Sequence, residues 1–221
     1  MFRKKVFRTP NFSTIQNVCM QAQSQSEMLA IVGYPGAGKT TSFENYIQKN
    51  DNVYYIRVRP TMKSKQFYRA LAGAVGCEIH NDLDLFSLMD IICNQLNSTY
   101  EKKLIIIDEG GKLKPRFLEY IHELRDLTIL TTGIVLAGPE YFKENVDEWV
   151  KKGIIGIPEF ERRVFHWEIL DPLSKNEITD FITAYGITDK DFLKQQRKLC
   201  KTYSKLENQI KIFTEENSQK N

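Results

Sequence analysis

The sequence predicts an α/β fold in which a parallel sheet is sandwiched between helices, an αβα arrangement. Three observations carry that expectation. Apolar and β-branched runs alternate with helix-forming stretches over most of the chain, the pattern of successive strand–helix–strand units. The run Leu104-Ile105-Ile106-Ile107 is apolar without a break, as a strand buried on both faces of a parallel sheet must be. Finally, Gly33-Tyr34-Pro35-Gly36-Ala37-Gly38-Lys39-Thr40 fits the phosphate-loop pattern G-x-x-x-x-G-K-[ST] at every fixed position. It follows the apolar run Met28-Leu29-Ala30-Ile31-Val32, which reads as the strand feeding that loop.

From the amino terminus, residues 2–10 carry Arg3, Lys4, Lys5 and Arg8 without an acid and read as a basic arm entering a helix over about 13–23. A helix over 41–49 follows the loop. Val53-Tyr54-Tyr55-Ile56-Arg57-Val58 is β-branched and aromatic, hence a strand. A helix over 63–75 stops at Gly76, and another over 84–96 leads to the strand that ends in Asp108-Glu109. Pro115 suits a first helical turn and opens a helix to about residue 125. A strand over 129–136, a helix over 141–151 and a strand over 164–170 follow. Beyond them, Phe192, Gln196, Leu199, Tyr203, Leu206, Ile210 and Phe213 keep a 4-3-4-3 spacing that predicts one side of a long helix. Lys194, Lys198, Lys201 and Lys205 lie on another side, as a solvated face or as a basic stripe for DNA or for a transposase. The expected organisation is an arm and helix over 1–26, a nucleotide-binding core over 27–170 and a short helical lid over 171–221.

Composition excludes several classes. The 31 basic and 28 acidic side chains leave a formal charge of +3, so any nucleic-acid surface must be local. Cys19, Cys77, Cys93 and Cys200 form no C-x-x-C pair, and His80, His122 and His166 make no ligand cluster with them, which predicts a reduced, cytoplasmic protein without structural zinc. No secretion signal or membrane span is expected.

The motifs point to phosphate chemistry. Glycines let successive backbone N–H groups turn toward phosphate oxygens, and the next helix adds the positive end of its dipole. The expected nucleotide contacts are Gly33, Pro35, Gly36, Ala37, Gly38, Lys39, Thr40 and Thr41. Lys39 would reach the β- and γ-phosphates of ATP, and Thr40 would hold Mg²⁺ through its hydroxyl. Asp108, at the carboxyl end of its strand, would orient Mg²⁺ and its waters, and Glu109 would polarise an attacking water. Two basic clusters could approach DNA phosphates, Lys63, Lys65 and Arg69 after the second strand and Lys112, Lys114 and Arg116 after Gly110-Gly111; solvated loops would look the same.

The phosphate loop, Ile107-Asp108-Glu109 with Leu113 and the helix to Arg125, Gly133-Ile134-Val135-Leu136-Ala137-Gly138, and Glu161-Arg162-Arg163 before Pro172-Leu173-Ser174 together resemble the AAA+ ATPases. Within them the chain is most similar to transposon target-DNA-binding ATPases of the phage Mu B type. The resemblance implies an ATP-dependent protein that assembles as a ring or helical filament on double-stranded target DNA and stimulates a transposase. It also implies a nucleotide site shared between neighbours, with Arg162 or Arg163 reaching the adjacent γ-phosphate, a contribution of about 10³ to 10⁵ in rate. Two departures bear on activity. Gly138-Pro139-Glu140 stands where a polar residue usually senses the γ-phosphate, which predicts slow hydrolysis, because proline has neither an N–H nor a polar side chain. The lid is short, and Lys205 is its candidate cation. A helicase loader or initiator-like ATPase, a small nucleotide kinase and a non-hydrolysing ATP-bound module remain alternatives.

Overall fold

A computed structural model describes residues 7–80 and 83–218. Arg3, Lys4 and Lys5 of the expected arm lie outside the described residues. Five parallel strands form one sheet: β1 (Met28–Val32), β2 (Val53–Arg57), β3 (Lys103–Asp108), β4 (Thr132–Gly138) and β5 (Val164–Ile169), in the order β2-β3-β4-β1-β5. The helices between and around them are α1 (Pro10–Gln25), α2 (Lys39–Ile47), α3 (Ser64–Val75), α4 (Leu85–Asn97), α5 (Pro115–Leu127), α6 (Tyr141–Lys151) and α7 (Ile157–Arg163). The segment expected to be the lid follows, as α8 (Lys175–Ala184), α9 (Lys190–Leu199) and α10 (Tyr203–Ser218).

Period-two alternation sorts the strand residues onto two faces. Leu29, Ile31, Leu104, Ile106, Val135 and Ala137 pack against Ile15, Cys19 and Ala22 of α1 and Phe43 and Tyr46 of α2. Met28, Ala30, Val32, Ile105, Ile107, Ile134 and Leu136 pack against α3 to α7, through side chains such as Phe67, Leu71, Ile92, Leu118, Phe142 and Phe160. β1, β3 and β4 are buried along their whole length, which accounts for their unbroken apolar runs. α1 lies so close over β4 that a Cβ at Gly133 would collide with the Ala22 carbonyl, so glycine is required there. Thr9 caps α1 by accepting the Phe12 N–H at 3.1 Å, with Pro10 in the first turn.

The structure differs from the sequence expectation in several elements. The C-terminal helix is two helices, because the chain turns at residues 200–202; Leu199, expected on the packed side, is half exposed. β4 begins at Thr132, and Ile129 and Leu130 stand exposed in the turn before it. α7 and α8 were not anticipated. α8 does carry a signal, a capping box in which Ser174 and Glu177 bond each other's backbone N–H. The lid has its own apolar cluster, built on Ile178, Phe181, Ile182, Phe192, Leu206 and Ile210.

Candidate nucleotide-binding site

The phosphate loop leaves the carboxyl end of β1 between β4 and β5. Gly33 N–H donates to the Gly138 carbonyl at 3.2 Å, and Leu170 N–H to the Val32 carbonyl at 2.8 Å. Gly36 and Gly38 have φ of 83° and 92°, a backbone that favours glycine, so the loop can curl toward the start of α2. Lys39 begins that helix. Its ammonium donates to the Gly33 carbonyl at 2.7 Å and the Tyr34 carbonyl at 3.2 Å. Burial lowers the lysine pKa, and the carboxylates of Asp108, Glu109 and Glu140 act against that shift.

Asp108 is 2% exposed and accepts from three donors. Thr40 Oγ1 and the Tyr55 hydroxyl donate to Oδ2 at 2.8 and 2.9 Å, and the Glu109 N–H donates to Oδ1 at 2.8 Å. Burial first, then the Asp108 charge and hydrogen bond, push the Tyr55 phenol well up, so it stays a donor. Glu109 lies at φ 66°, a left-handed backbone that turns its side chain out of the strand line. Arg57 and Lys112 reach its two oxygens at 3.1 and 3.0 Å. Burial raises the Glu109 carboxyl, but the bonds from Lys112 and Arg57 outweigh it and hold the pKa below the ordinary value. Neither Tyr55 nor Arg57 was expected from sequence as part of the site.

These groups line a cleft of about 390 Å³, within the range of small-molecule sites. Residues 35–42, Arg57, Asp108, Glu109, Gly138 and Pro139 form its core side. Phe7, Thr9 and Phe12 close it from the amino terminus, and Phe181, Tyr203, Ser204 and Glu207 from the lid. The lid touches the loop directly. Tyr203 N–H donates to the Gly36 carbonyl at 3.1 Å, and the Tyr203 hydroxyl to Glu177 Oε1 at 2.8 Å. The expected lid cation is elsewhere: Lys205 Nζ donates to the Leu199 carbonyl at 3.1 Å, capping the end of α9.

The other predicted residues are dispersed. Lys63 and Lys65 are exposed at the start of α3, with Arg69 one turn on. In the second cluster Lys114 is exposed at the start of α5, Lys112 is paired with Glu109, and Arg116 Nε donates to the Tyr120 hydroxyl at 2.7 Å. Arg163 is held by a fork to Asp126, both bonds at 2.7 Å, whereas Arg162 is exposed and forms no ion pair among the described residues. Both arginines precede β5, whose Val164 pairs with Met28 at the far end of β1 from the loop. At about 3.3 Å per residue that places them a full strand length from this chain's own cleft. Among the described residues, no helix is long and apolar enough to cross a membrane.

Comparisons with known proteins agree with this geometry. A family model described as an AAA domain matches residues 22–146, more than half of the chain. The ATP-dependent target DNA activator B of Escherichia phage D108 is 33% identical over 138 residues, covering 58% of this chain and 42% of that protein. The chain therefore spans less than half the length of the curated relative it matches. Among solved structures, the Aeropyrum pernix ORC1 protein in complex with DNA aligns at a TM-score of 0.71 and 14% identity, over 99% of this chain and 62% of that one. The Cdc6p structure from Pyrobaculum aerophilum aligns at 0.59 and 14% identity, over 82% of this chain and 51% of that one. These two likenesses are of fold: a phosphate-loop sheet of this class. The chain belongs to the AAA domain family and is similar, within it, to the phage target DNA activator B.

Proposed function

We propose that this chain binds ATP with Mg²⁺ in the cleft, hydrolyses it slowly within an assembly of its own copies, and uses the ATP state to hold double-stranded DNA for a transposase. In this reading residues 27–170 are the nucleotide core, 1–26 an arm and helix, and 171–221 the lid. The observation that carries it is the direct Thr40–Asp108 hydrogen bond, which brings a hydroxyl and a carboxylate to the mouth of the phosphate loop. Those two oxygens suit a hard cation that keeps several waters. Mg²⁺ would supply charge neutralisation at the phosphates; the remaining work falls to the chain. Lys39, now on two loop carbonyls, is free to exchange them for phosphate oxygens. Glu109 keeps a carboxylate available to take a proton from water. Arg162 is the arginine with its charge uncommitted, so it is the group that serves a neighbour's cleft, while Arg163 braces α7 against α5 through Asp126.

Titration calorimetry with ATP tests the site. Lys39→Ala should abolish binding, and unchanged affinity would show the assignment to be wrong. Phosphate release in mixed assemblies tests the shared cleft. Arg162→Ala should lose hydrolysis, regain part of it when mixed with Lys39→Ala protein, and exceed the loss from Arg163→Ala. A second reading, ATP as a structural ligand without turnover, is favoured by Pro139 at the cleft wall, where a polar sensor is missing. Phosphate release at background level with DNA present would select it.

A further inference from the structure

Between Asp191 and Glu207 the chain holds five basic residues, Lys194, Arg197, Lys198, Lys201 and Lys205, and no acid. The fold gathers four of them. α9 buries Phe192 and Gln196, and Lys194 and Lys198 lie on the opposite side of the helix, exposed. Lys201 is exposed in the turn that follows, and Lys205 folds back to the Leu199 carbonyl, bringing a fourth ammonium to the end of α9. Among the described residues, Lys194, Lys198 and Lys201 form no ion pair. Asp189, Asp191 and Glu216 border the groove between α9 and α10, and Asp191 is the one acid of α9 on the stripe of Lys194 and Lys198, at its amino-terminal end.

We propose that this lysine face is a further contact for duplex DNA, made to backbone phosphates and not to bases. It rests on the reading of the chain as a DNA-holding ATPase and moves part of the DNA surface from the core to the lid. Unpaired lysines neutralise phosphates as mobile point charges without requiring a fixed geometry. The i,i+4 pair Lys194 and Lys198 is spaced by about 6 Å along the helix, so both ammonium groups can meet the backbone of one strand. A folded protein partner would call for aromatic or arginine anchors, which this face does not supply, since Arg197 is engaged with Thr179 at 2.8 Å. The position also suits an ATP-dependent contact. The turn that carries Lys201 continues into Tyr203, whose N–H holds the Gly36 carbonyl of the phosphate loop.

The test uses the full chain with ATP and Mg²⁺, two labelled duplexes of unrelated sequence and a salt series read by fluorescence anisotropy. Lys194→Glu, Lys198→Glu and Lys201→Glu are combined, leaving Lys205 in place because it caps α9. Affinity should fall about tenfold or more for both duplexes, and the salt slope should become shallower by about 2 to 3, near 0.9 for each lost contact. ATP affinity should not change. The same three positions as arginine should bind as the parent does. If the parent binds DNA and the glutamate variant matches it in affinity and slope, the lid face is not a DNA surface, while the wider reading stands. If the parent itself binds no duplex in the presence of ATP, both fail. Should the glutamate variant not fold, the three positions as glutamine must still flatten the slope, and a parental slope there overturns the inference. A loss confined to one sequence overturns the assignment to the backbone.

Discussion

Asp108 and Glu109 are neighbours in sequence and sit in opposite surroundings. Asp108 ends a fully buried strand, and the three groups on it are neutral donors, two hydroxyls and an N–H. Glu109 turns out of the strand at φ 66° and meets two cations, Arg57 and Lys112, with its side chain 31% exposed. The difference teaches what each environment can do. Neutral donors fix the direction of a carboxylate without cancelling its charge, which suits a group that must face a cation. Cations at a half-exposed carboxylate keep it ionised and still let it exchange partners, since such pairs contribute at most about 1 kcal/mol.

Removing each carboxylate should therefore have unlike consequences. Asp108→Ala should slow phosphate release on the order of 10³-fold, a few kcal/mol of lost charge stabilisation. It should also abolish the tightening of ATP binding by Mg²⁺, measured by calorimetry with and without the metal. Glu109→Gln should preserve that tightening and slow release by about 10² to 10³. Equal Mg²⁺ dependence in the two variants would erase the distinction drawn between the residues.

Next in size is the effect of the two cations. With Arg57→Ala and Lys112→Ala combined, burial is left as the main influence on Glu109, so its pKa should rise above the ordinary carboxylate value. In the parent the folded pKa is depressed. The ion pairs' stability contribution is therefore present above the unfolded carboxylate pKa, near 4.3, and is lost as pH falls through the lower folded value. It should be under about 1 kcal/mol, because Arg57 is well exposed. The acid limb of the pH–rate profile should move to higher pH in the double variant. An unmoved limb would show that the cations do not govern Glu109.

How much of this was legible depends on whether the partners are joined by the chain or by the fold. The phosphate loop and the Asp108-Glu109 strand end could be read because loop curvature and strand burial each need particular residues at fixed local spacing. Tyr55 and Arg57 could not, since their link to Asp108 and Glu109 exists only after β2 and β3 adopt their register, in which Arg57 faces Asp108. Periodicity also overran the break in the lid. Cys200, Leu206 and Ile210 are all buried in one cluster, so the apolar pattern continues through a turn that contains neither glycine nor proline. α7 spans seven residues, too few for a helical period to show, although Pro158 marks its first turn. That Arg163 is paired and Arg162 is not was likewise closed to sequence, because the partner is Asp126, thirty-seven positions away from Arg163.

The smallest expected effect concerns the third donor on Asp108. Tyr55→Phe keeps the ring in its half-buried place and removes the hydroxyl alone, leaving Asp108 with Thr40 and the Glu109 N–H. A hydrogen bond to a charged group contributes about 1.5 to 3 kcal/mol net to stability, and only the part that aims the carboxylate reaches the nucleotide, so ATP affinity with Mg²⁺ should weaken about tenfold or less. Without Mg²⁺ the change should shrink, because the hydroxyl acts by aiming a carboxylate that then faces no metal ion. Glu109 has no part in that bond, so the pH–rate profile should keep its acid limb. A shift of that limb in Tyr55→Phe would mean that the two carboxylates titrate as one unit, and the separation between the buried and the half-exposed acid would have to be abandoned.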